Sequence, residues 1–368
     1  TWSAGAVWHV SEETFMEVVR PVLSRLSLRV ATGYTGNINK TVKPNLMMKY
    51  YKNFRISDDE NYRMGYINNA PNPKLRWEKT RDVKVALDFG LWKDRINGIV
   101  EAYWRKSKDC VTSEYVPVTT GFFNQSYNTS VLQNNGVEFS LSVAVLKSKD
   151  YNLSVSANVA WNQNKLKKYN SPNTSLALDK YVGYPMGAVF SGKYEGIDPE
   201  TGMYKFKLRP DAVTNKDGYL REPNNYYYYL GTSVAPFTGG FNLNFSYKNI
   251  GLSVGGSYSV KAKMVDNIES PAGYELLSGS KLESIPTPHN DLYRNHLNVK
   301  REVRNRWTPE NRTGVKYPRL IDAYGKKLGL DLTNPTLTTI TRGALLEDIS
   351  CLRINTIALS YSLPQRVL

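Results

Sequence analysis

The sequence predicts an all-β chain that forms part of a large antiparallel transmembrane β-barrel, with long extracellular loops and short periplasmic turns. Three observations predict it. Apolar and polar residues alternate strictly through stretches such as VEFSLSVAVLKSKDYNLSVSANVAW at 137–161, and successive strand side chains point to opposite faces. Most such runs are near the roughly 9–11 residues that a tilted membrane strand needs. The connections between them alternate between short and long.

Nine strands follow from the alternation: Trp2–Val10, Leu26–Tyr34, Asp82–Leu91, Ile96–Lys106, Gly136–Val145, Tyr151–Asn162, Phe241–Tyr247, Leu252–Val260 and about Ser350–Leu363. After the first, Ser11–Ser24 is a medium connection. Ser11 is placed to cap a short helix there, with Glu12 and Glu13 in its first turn and Pro21 at its end. Tight turns follow the third, fifth and seventh strands, at 92–95, 147–150 and 248–251. Long segments follow the even strands, at 35–81, 107–135, 163–240 and 261–349. Loops beyond about 12–15 residues are uncommon in compact domains, whereas outer-membrane barrels pair short turns with long loops. Trp92, Tyr151, Tyr247 and Tyr361 lie beside the short-turn ends, and Tyr34, Trp104, Trp161 and Tyr258 near the long-loop ends. Two aromatic bands fit the preference of Trp and Tyr for membrane interfaces. A soluble β-sandwich would explain the alternation but not the parity of the loops.

Composition agrees. The 368 residues carry 48 Lys+Arg against 33 Asp+Glu, a formal net charge of +15, and include 26 Tyr. No apolar run approaches the roughly 20 residues of a membrane helix, a test that is silent about barrels. The basic excess fits a solvated surface or anionic lipid headgroups. No nucleic-acid-binding motif accompanies it. The N-terminal TWSAGAVWHV is no signal peptide and already reads as a strand, so a fragment or processed piece is expected. Cys110 and Cys351 are too few for a disulfide framework. Both are expected unpaired on the extracellular side.

Catalytic and metal-binding constellations, and with them any cofactor, are not evident. His289 and His296 are spaced for no compact metal site, and with His9 read as ordinary surface histidines. Asp198-Pro199-Glu200-Thr201-Gly202 clusters carboxylates without the spacing of a calcium loop and reads as a turn. Tyr226, Tyr227, Tyr228 and Tyr229 are candidates for stacking on a sugar, although alternate rings in such a run face opposite ways. By parity, Lys84, Asp88, Glu101, Glu138, Asn158, Asn162, Asn242 and Asn244 face the lumen or a plug within it. Val85, Leu87, Phe139, Leu141, Val155 and Val159 face lipid.

LSLRVATGYTGN at 26–37 resembles a signature of the SusC-like TonB-dependent outer-membrane transporters of Bacteroidota. PNPKLRWEKT at 71–80, NNGVEFSLSV at 134–143, YPMGAVFSGKYEGIDPETG at 184–202, PFTGGFNLNFSYKNIGLSV at 236–254, NRWTPENR at 305–312 and LRINTIALSYSLP at 352–364 follow in the order of that family's motifs. The resemblance implies a 22-stranded barrel closed by an N-terminal plug, of which residues 1–368 are a part. The plug, the TonB-contacting segment and the terminal strands lie outside this sequence. As partners it implies a SusD-like surface lipoprotein over the long loops, TonB, the remaining barrel and plug, and outer-membrane lipid and lipopolysaccharide. It implies TonB-dependent uptake of glycans or peptides as the channel subunit of a SusCD-like complex, without enzymatic activity. The alternatives are a SusC-like barrel kept as a structural or assembly component of a larger outer-membrane complex, and a soluble carbohydrate-binding β-protein.

Overall fold

The computed structural model describes residues 1–38, 48–50, 65–67, 69–170, 181–200, 202, 204–212, 225–265, 304–317 and 342–363. No α-helix occurs among them. The strands in chain order are β1 (Trp2–Trp8), β2 (Leu23–Asn37), β3 (Met48–Tyr50), β4 (Gly65–Ile67), β5 (Asn69–Ala70), β6 (Glu78–Leu91), β7 (Ile96–Tyr115), β8 (Asn124–Lys147) and β9 (Tyr151–Tyr169). They continue with β10 (Ala188–Ile197), β11 (Tyr204–Lys207), β12 (Tyr227–Thr232), β13 (Phe237–Tyr247), β14 (Ile250–Val260), β15 (Lys263–Val265), β16 (Leu346–Asp348) and β17 (Cys351–Tyr361).

Contacts divide the chain into two units. The first comprises Thr1–Met186, Pro236–Val260 and Cys351–Leu368, and the second Gly187–Ala235 and Lys261–Ser350. The first is a single antiparallel sheet in the order β1-β2-β6-β7-β8-β9-β13-β14-β17, with β5 added parallel to the start of β8. Every predicted strand is present, and the strands joined by the three predicted tight turns pair with each other. The sheet is open: β1 and β17 each have one neighbour among the described residues.

Alternation sorts the sheet into two faces. Val143, Val155, Leu243, Val254 and Ile357 are successive register partners and form one apolar row across five strands. Ser142, Ser156 and Asn242 form the adjacent row on the other face. Among the described residues no layer covers the apolar side chains of this unit: Leu87, Val137, Val159, Phe245, Ile357 and Leu359 are exposed. The aromatic band at the short-turn end is also in register, as Tyr151, Tyr247, Ile250 and Tyr361 pair in sequence across four strands. At the other end the Trp2 and Tyr34 rings pack at 5.6 Å.

A recurrent device holds the ladder together. Phe89 faces Gly98, Tyr103 faces Gly136, Tyr258 faces Gly239 and Phe241 faces Gly256, each as direct register partners. At all four glycines a Cβ would run into the opposing ring. The ring thus fills the space that a side chain at the glycine would take.

Two expectations are corrected. Residues 9–22 do not form a capped α-helix. They form two one-turn 3-10 helices, Val10–Glu12 and Thr14–Met16, and His9 at the first N-cap makes no side-chain cap. Arg20 binds the main-chain oxygens of Ser11 and Glu12 instead, at 3.0 and 2.9 Å. A segment this short, with β-branched Val18 and Val19 before Pro21, cannot offset the cost of nucleating a helix. Nor is 107–135 a long loop. β7 and β8 continue as a paired ribbon up to Tyr115 and Asn124, and only 116–123 connect them. The ribbon is strapped by residues 71–76. Asn128 binds both the amide and the carbonyl of Arg76 at 2.8 Å, and Arg76 pairs with Asp109 at 2.9 Å.

The second unit carries a three-stranded sheet, β11-β10-β12, and a two-stranded one, β15-β16. Gly202, with φ of 71°, closes the turn after β10, and its N–H donates to the Asp198 carbonyl at 2.8 Å. That turn is tied to a second predicted motif: the buried Trp307 donates from Nε1 to the carbonyl of Pro199 at 3.0 Å. His289 and His296 lie outside the described residues.

Candidate functional site

All eight residues predicted to face a lumen lie on the polar face of the first unit. Lys84 and Asp88 are on β6, Glu101 on β7, Glu138 on β8, Asn158 and Asn162 on β9, and Asn242 and Asn244 on β13. The register carries them into one field, with Glu101 opposite Glu138 and Asn244 opposite Ser154.

Charges on this face are arranged in pairs. Arg29 grips Asp88 with two bonds, at 2.6 and 3.0 Å. Lys84 reaches Glu101 at 3.0 Å, and Arg105 reaches Asp82, its direct register partner, at 3.0 Å. All three pairs are partly exposed, so each contributes about 0.2–1 kcal/mol. Carboxylates directly opposite one another repel. Lys84 offsets this for Glu101, whereas Glu138 is exposed and has no ion-pair partner among the described residues.

The amides are held by the backbone and by hydroxyls. Asn158 Oδ1 accepts from the Gly240 N–H at 2.8 Å, Asn162 Oδ1 from the Tyr103 hydroxyl at 3.2 Å, and Asn244 Oδ1 from Ser253 at 2.8 Å. Next to them the face is concave. A pocket of about 310 Å³ is lined by Arg25, Asn97, Ser140, Ser156, Asn158 and Asn242, among others. Arg25 is fixed there by a 2.9 Å bond to Asn97. Arg25, Arg29, Asp82, Tyr103 and Arg105 belong to this face and were not among the predicted residues. The same parity that selected Lys84 and Asp88 would have found them.

The tyrosine run divides as alternation requires. Tyr227, Tyr228 and Tyr229 pair with Gly192, Ser191 and Phe190 of β10. Tyr228 donates to the Leu208 carbonyl at 2.8 Å, and the Tyr229 ring packs on Phe190 at 5.8 Å. Burial pushes the Tyr226 phenol pKa up. These residues are not brought together as one stacking platform. In the same unit Tyr194, Tyr204 and Phe206 form a ring cluster with centroids 5.6–6.1 Å apart.

Among the described residues no group of three or more His, Cys, Asp and Glu is placed to hold a metal ion. Cys110 is buried, Cys351 is exposed, and both are free thiols. Each stands toward the strand ends away from the tight turns, as expected.

The family model described as TonB dependent receptor-like, beta-barrel, matches residues 1–275. The chain is 25% identical to TonB-dependent receptor P26 of Formosa agariphila, over 98% of this chain and 35% of that protein. It is 35% identical to TonB-dependent receptor SusC of Bacteroides thetaiotaomicron, over 48% of this chain and 17% of that protein. Among solved structures, the RagAB peptide transporter superposes with a TM-score of 0.72 at 25% identity, over 99% of this chain and 37% of that one. The chain thus spans about a third of the length of P26 and of the RagAB chain. An open sheet with an apolar outer face, girdled strands and these relatives lead to one assignment: the chain belongs to the TonB dependent receptor-like β-barrel family, whose place is the bacterial outer membrane.

Proposed function

We propose that this chain forms part of the wall of a TonB-dependent importer of glycans or peptides, as the channel subunit of a complex with a SusD-like surface lipoprotein. The observation that carries the reading is the segregation of the two faces. One side of the main strands is apolar, with no covering layer among the described residues, and the other gathers Lys84, Asp88, Glu101, Glu138 and the four asparagines. A wall between lipid and a wet lumen needs that division. Weak, partly exposed pairs such as Lys84–Glu101 also suit contact with a plug that must move, because breaking one costs at most about 1 kcal/mol. In this reading residues 1–368 are a partial barrel domain, and the plug and the TonB-contacting segment belong to the remaining length. The relatives' description as TonB-dependent receptors supports the energy source. The RagAB peptide transporter supports peptides as one substrate class.

The test is to delete the gene in its native bacterium and measure uptake of labelled oligosaccharides and peptides. Loss of one class, restored by the intact gene but not by one lacking the TonB-contacting segment, is the expected result. Unchanged uptake of both classes, together with loss of another outer-membrane complex, would replace transport with a structural or assembly role.

A further inference from the structure

We infer that the three tight turns form a continuous cationic rim that binds anionic phospholipid headgroups of the membrane leaflet they face. The turns lie side by side in the sheet, between β6 and β7, β8 and β9, and β13 and β14. Main-chain bonds join them to their neighbours. Ala144 N–H donates to the Arg95 carbonyl at 2.7 Å, Lys248 N–H to Asp150 at 2.6 Å, and Ser362 N–H to Asn249 at 2.8 Å. The rim displays Lys93, Arg95, Lys147, Lys149 and Lys248, all exposed, against Asp94 and Asp150. None of the five cations has an ion-pair partner among the described residues. Asp94 is already engaged by the Ser24 hydroxyl at 3.0 Å. The connection at 9–22 adjoins the rim through the Trp92 N–H, which donates to the Val22 carbonyl at 2.7 Å, and its Glu12, Glu13 and Glu17 bound the cationic stretch on that side.

Depth identifies the ligand. The cations follow directly on the aromatic band: Lys93 on Trp92, and Lys248 on Tyr247, with Lys149 two residues before Tyr151. Those aromatic rings mark the interfacial layer, so the charges beyond them stand at the level of the phosphates. The Lys248 ammonium lies 5.4 Å from the centroid of the Tyr247 ring.

Backbone conformation bears on the choice of variants. Lys93 and Lys248 have φ of 58° and 49°, in the left-handed region. Glycine occupies that region without strain and asparagine or aspartate with little, whereas other residues carry a cost of about 1–2 kcal/mol. Trp92 and Asp94 share this conformation at φ of 49° and 62°, so the turn backbone as a whole aims Lys93 outward, and glycine at Lys93 or Lys248 is compatible with the turn.

The test uses the full-length protein reconstituted in vesicles of phosphatidylcholine with a minor fraction of phosphatidylglycerol. Lipids retained on re-extraction are counted by native mass spectrometry. The wild type should be enriched in phosphatidylglycerol. A variant with Lys93→Gly and Lys248→Gly, together with Lys147→Gln and Lys149→Gln, should lose that enrichment by at least about tenfold. Its thermal stability should be unchanged or higher, because two strained positions are relieved. Lys167→Gln with Lys168→Gln, toward the opposite end of β9, should leave the enrichment intact. Unchanged enrichment in the rim variant would overturn the inference, as would equal loss in the Lys167 and Lys168 variant. So would competition by water-soluble glycerophosphoglycerol at the same molar level, since the site would then recognise a free phosphodiester and not a leaflet.

Discussion

Replacing Val155 by arginine should destabilise the membrane-inserted fold, while the same replacement at Ser156, one residue on, should not. The depth follows from β9. Tyr151 and Trp161 mark the two aromatic bands on the same face, ten residues apart. At about 3.3 Å per residue that is roughly 33 Å along the strand. A tilt of about 40° reduces this to about 25 Å, the height of the apolar band of an outer-membrane barrel. Val155 is close to the middle of that span and is flanked by Val143 and Leu243 in the apolar row. A cationic side chain at such a depth on the lipid face costs about 2–4 kcal/mol. That is a loss of roughly thirty- to a thousandfold in the folding equilibrium. Ser156 lies between Ser142 and Asn242 and lines the pocket on the polar face, where an arginine meets water and the acceptors of Asn158 and Asn242. Its replacement should stay within about 1 kcal/mol. Urea titration of the full-length protein folding into phospholipid vesicles, read by the heat-modifiable gel shift, measures both. Equal penalties, or a larger one at Ser156, would refute the assignment of faces.

Two further outcomes follow from the same sheet. Gly98→Val should destabilise the folded barrel by about 1–3 kcal/mol, because its side chain enters the space of the Phe89 ring. Pairing it with Phe89→Ala should recover part of the loss in a double-mutant cycle, and strict additivity would show that the ring does not cover the glycine. With a membrane-impermeant maleimide on full-length protein carrying Cys351→Ser, Cys110 should label only after unfolding. Ready labelling of the folded protein would contradict the burial of Cys110 in the β7–β8 ribbon.

The sequence was most legible where one face is apolar. Leu26, Leu28 and Val30 against Ser27, Arg29 and Ala31 determine both the strand and its faces, because a slip of one residue would exchange every side chain. The ribbon beyond Lys106 was not legible for the same reason. Thr112, Ser113 and Glu114 face Tyr127, Ser126 and Gln125 with polar residues on both sides, so alternation has nothing to report. The ion pairs were half legible. Parity places Arg29 and Asp88 on one face, but their register partners are Ala86 and Ser27. The Arg29–Asp88 bond runs diagonally, and long side chains take such diagonals only through the twist of the sheet. After β1 a cap residue and two acidic residues are compatible with a helix, but the segment is too short to offset nucleation and settles into two 3-10 turns.

The edges of the sheet lead to the last prediction. β1 and β17 are exposed at every residue. In an antiparallel ladder roughly every second residue directs its N–H and C=O away from its neighbour. For the eleven residues of β17 that leaves about five donors and five acceptors facing outward on its free side. In hydrocarbon each unsatisfied group costs several kcal/mol. Their sum would exceed the roughly 5–15 kcal/mol that stabilises a folded domain. An inserted sheet therefore requires a strand beside Trp2–Trp8 and another beside Cys351–Tyr361. The relatives are about three times the length of this chain, which is ample for the strands needed. In the full-length protein in lipid, amide hydrogen exchange should be as slow in β1 and β17 as in the interior strand β8. Rapid exchange of alternate amides in either strand would show a free edge, and the reading of β1 and β17 as interior strands of a closed barrel would be wrong.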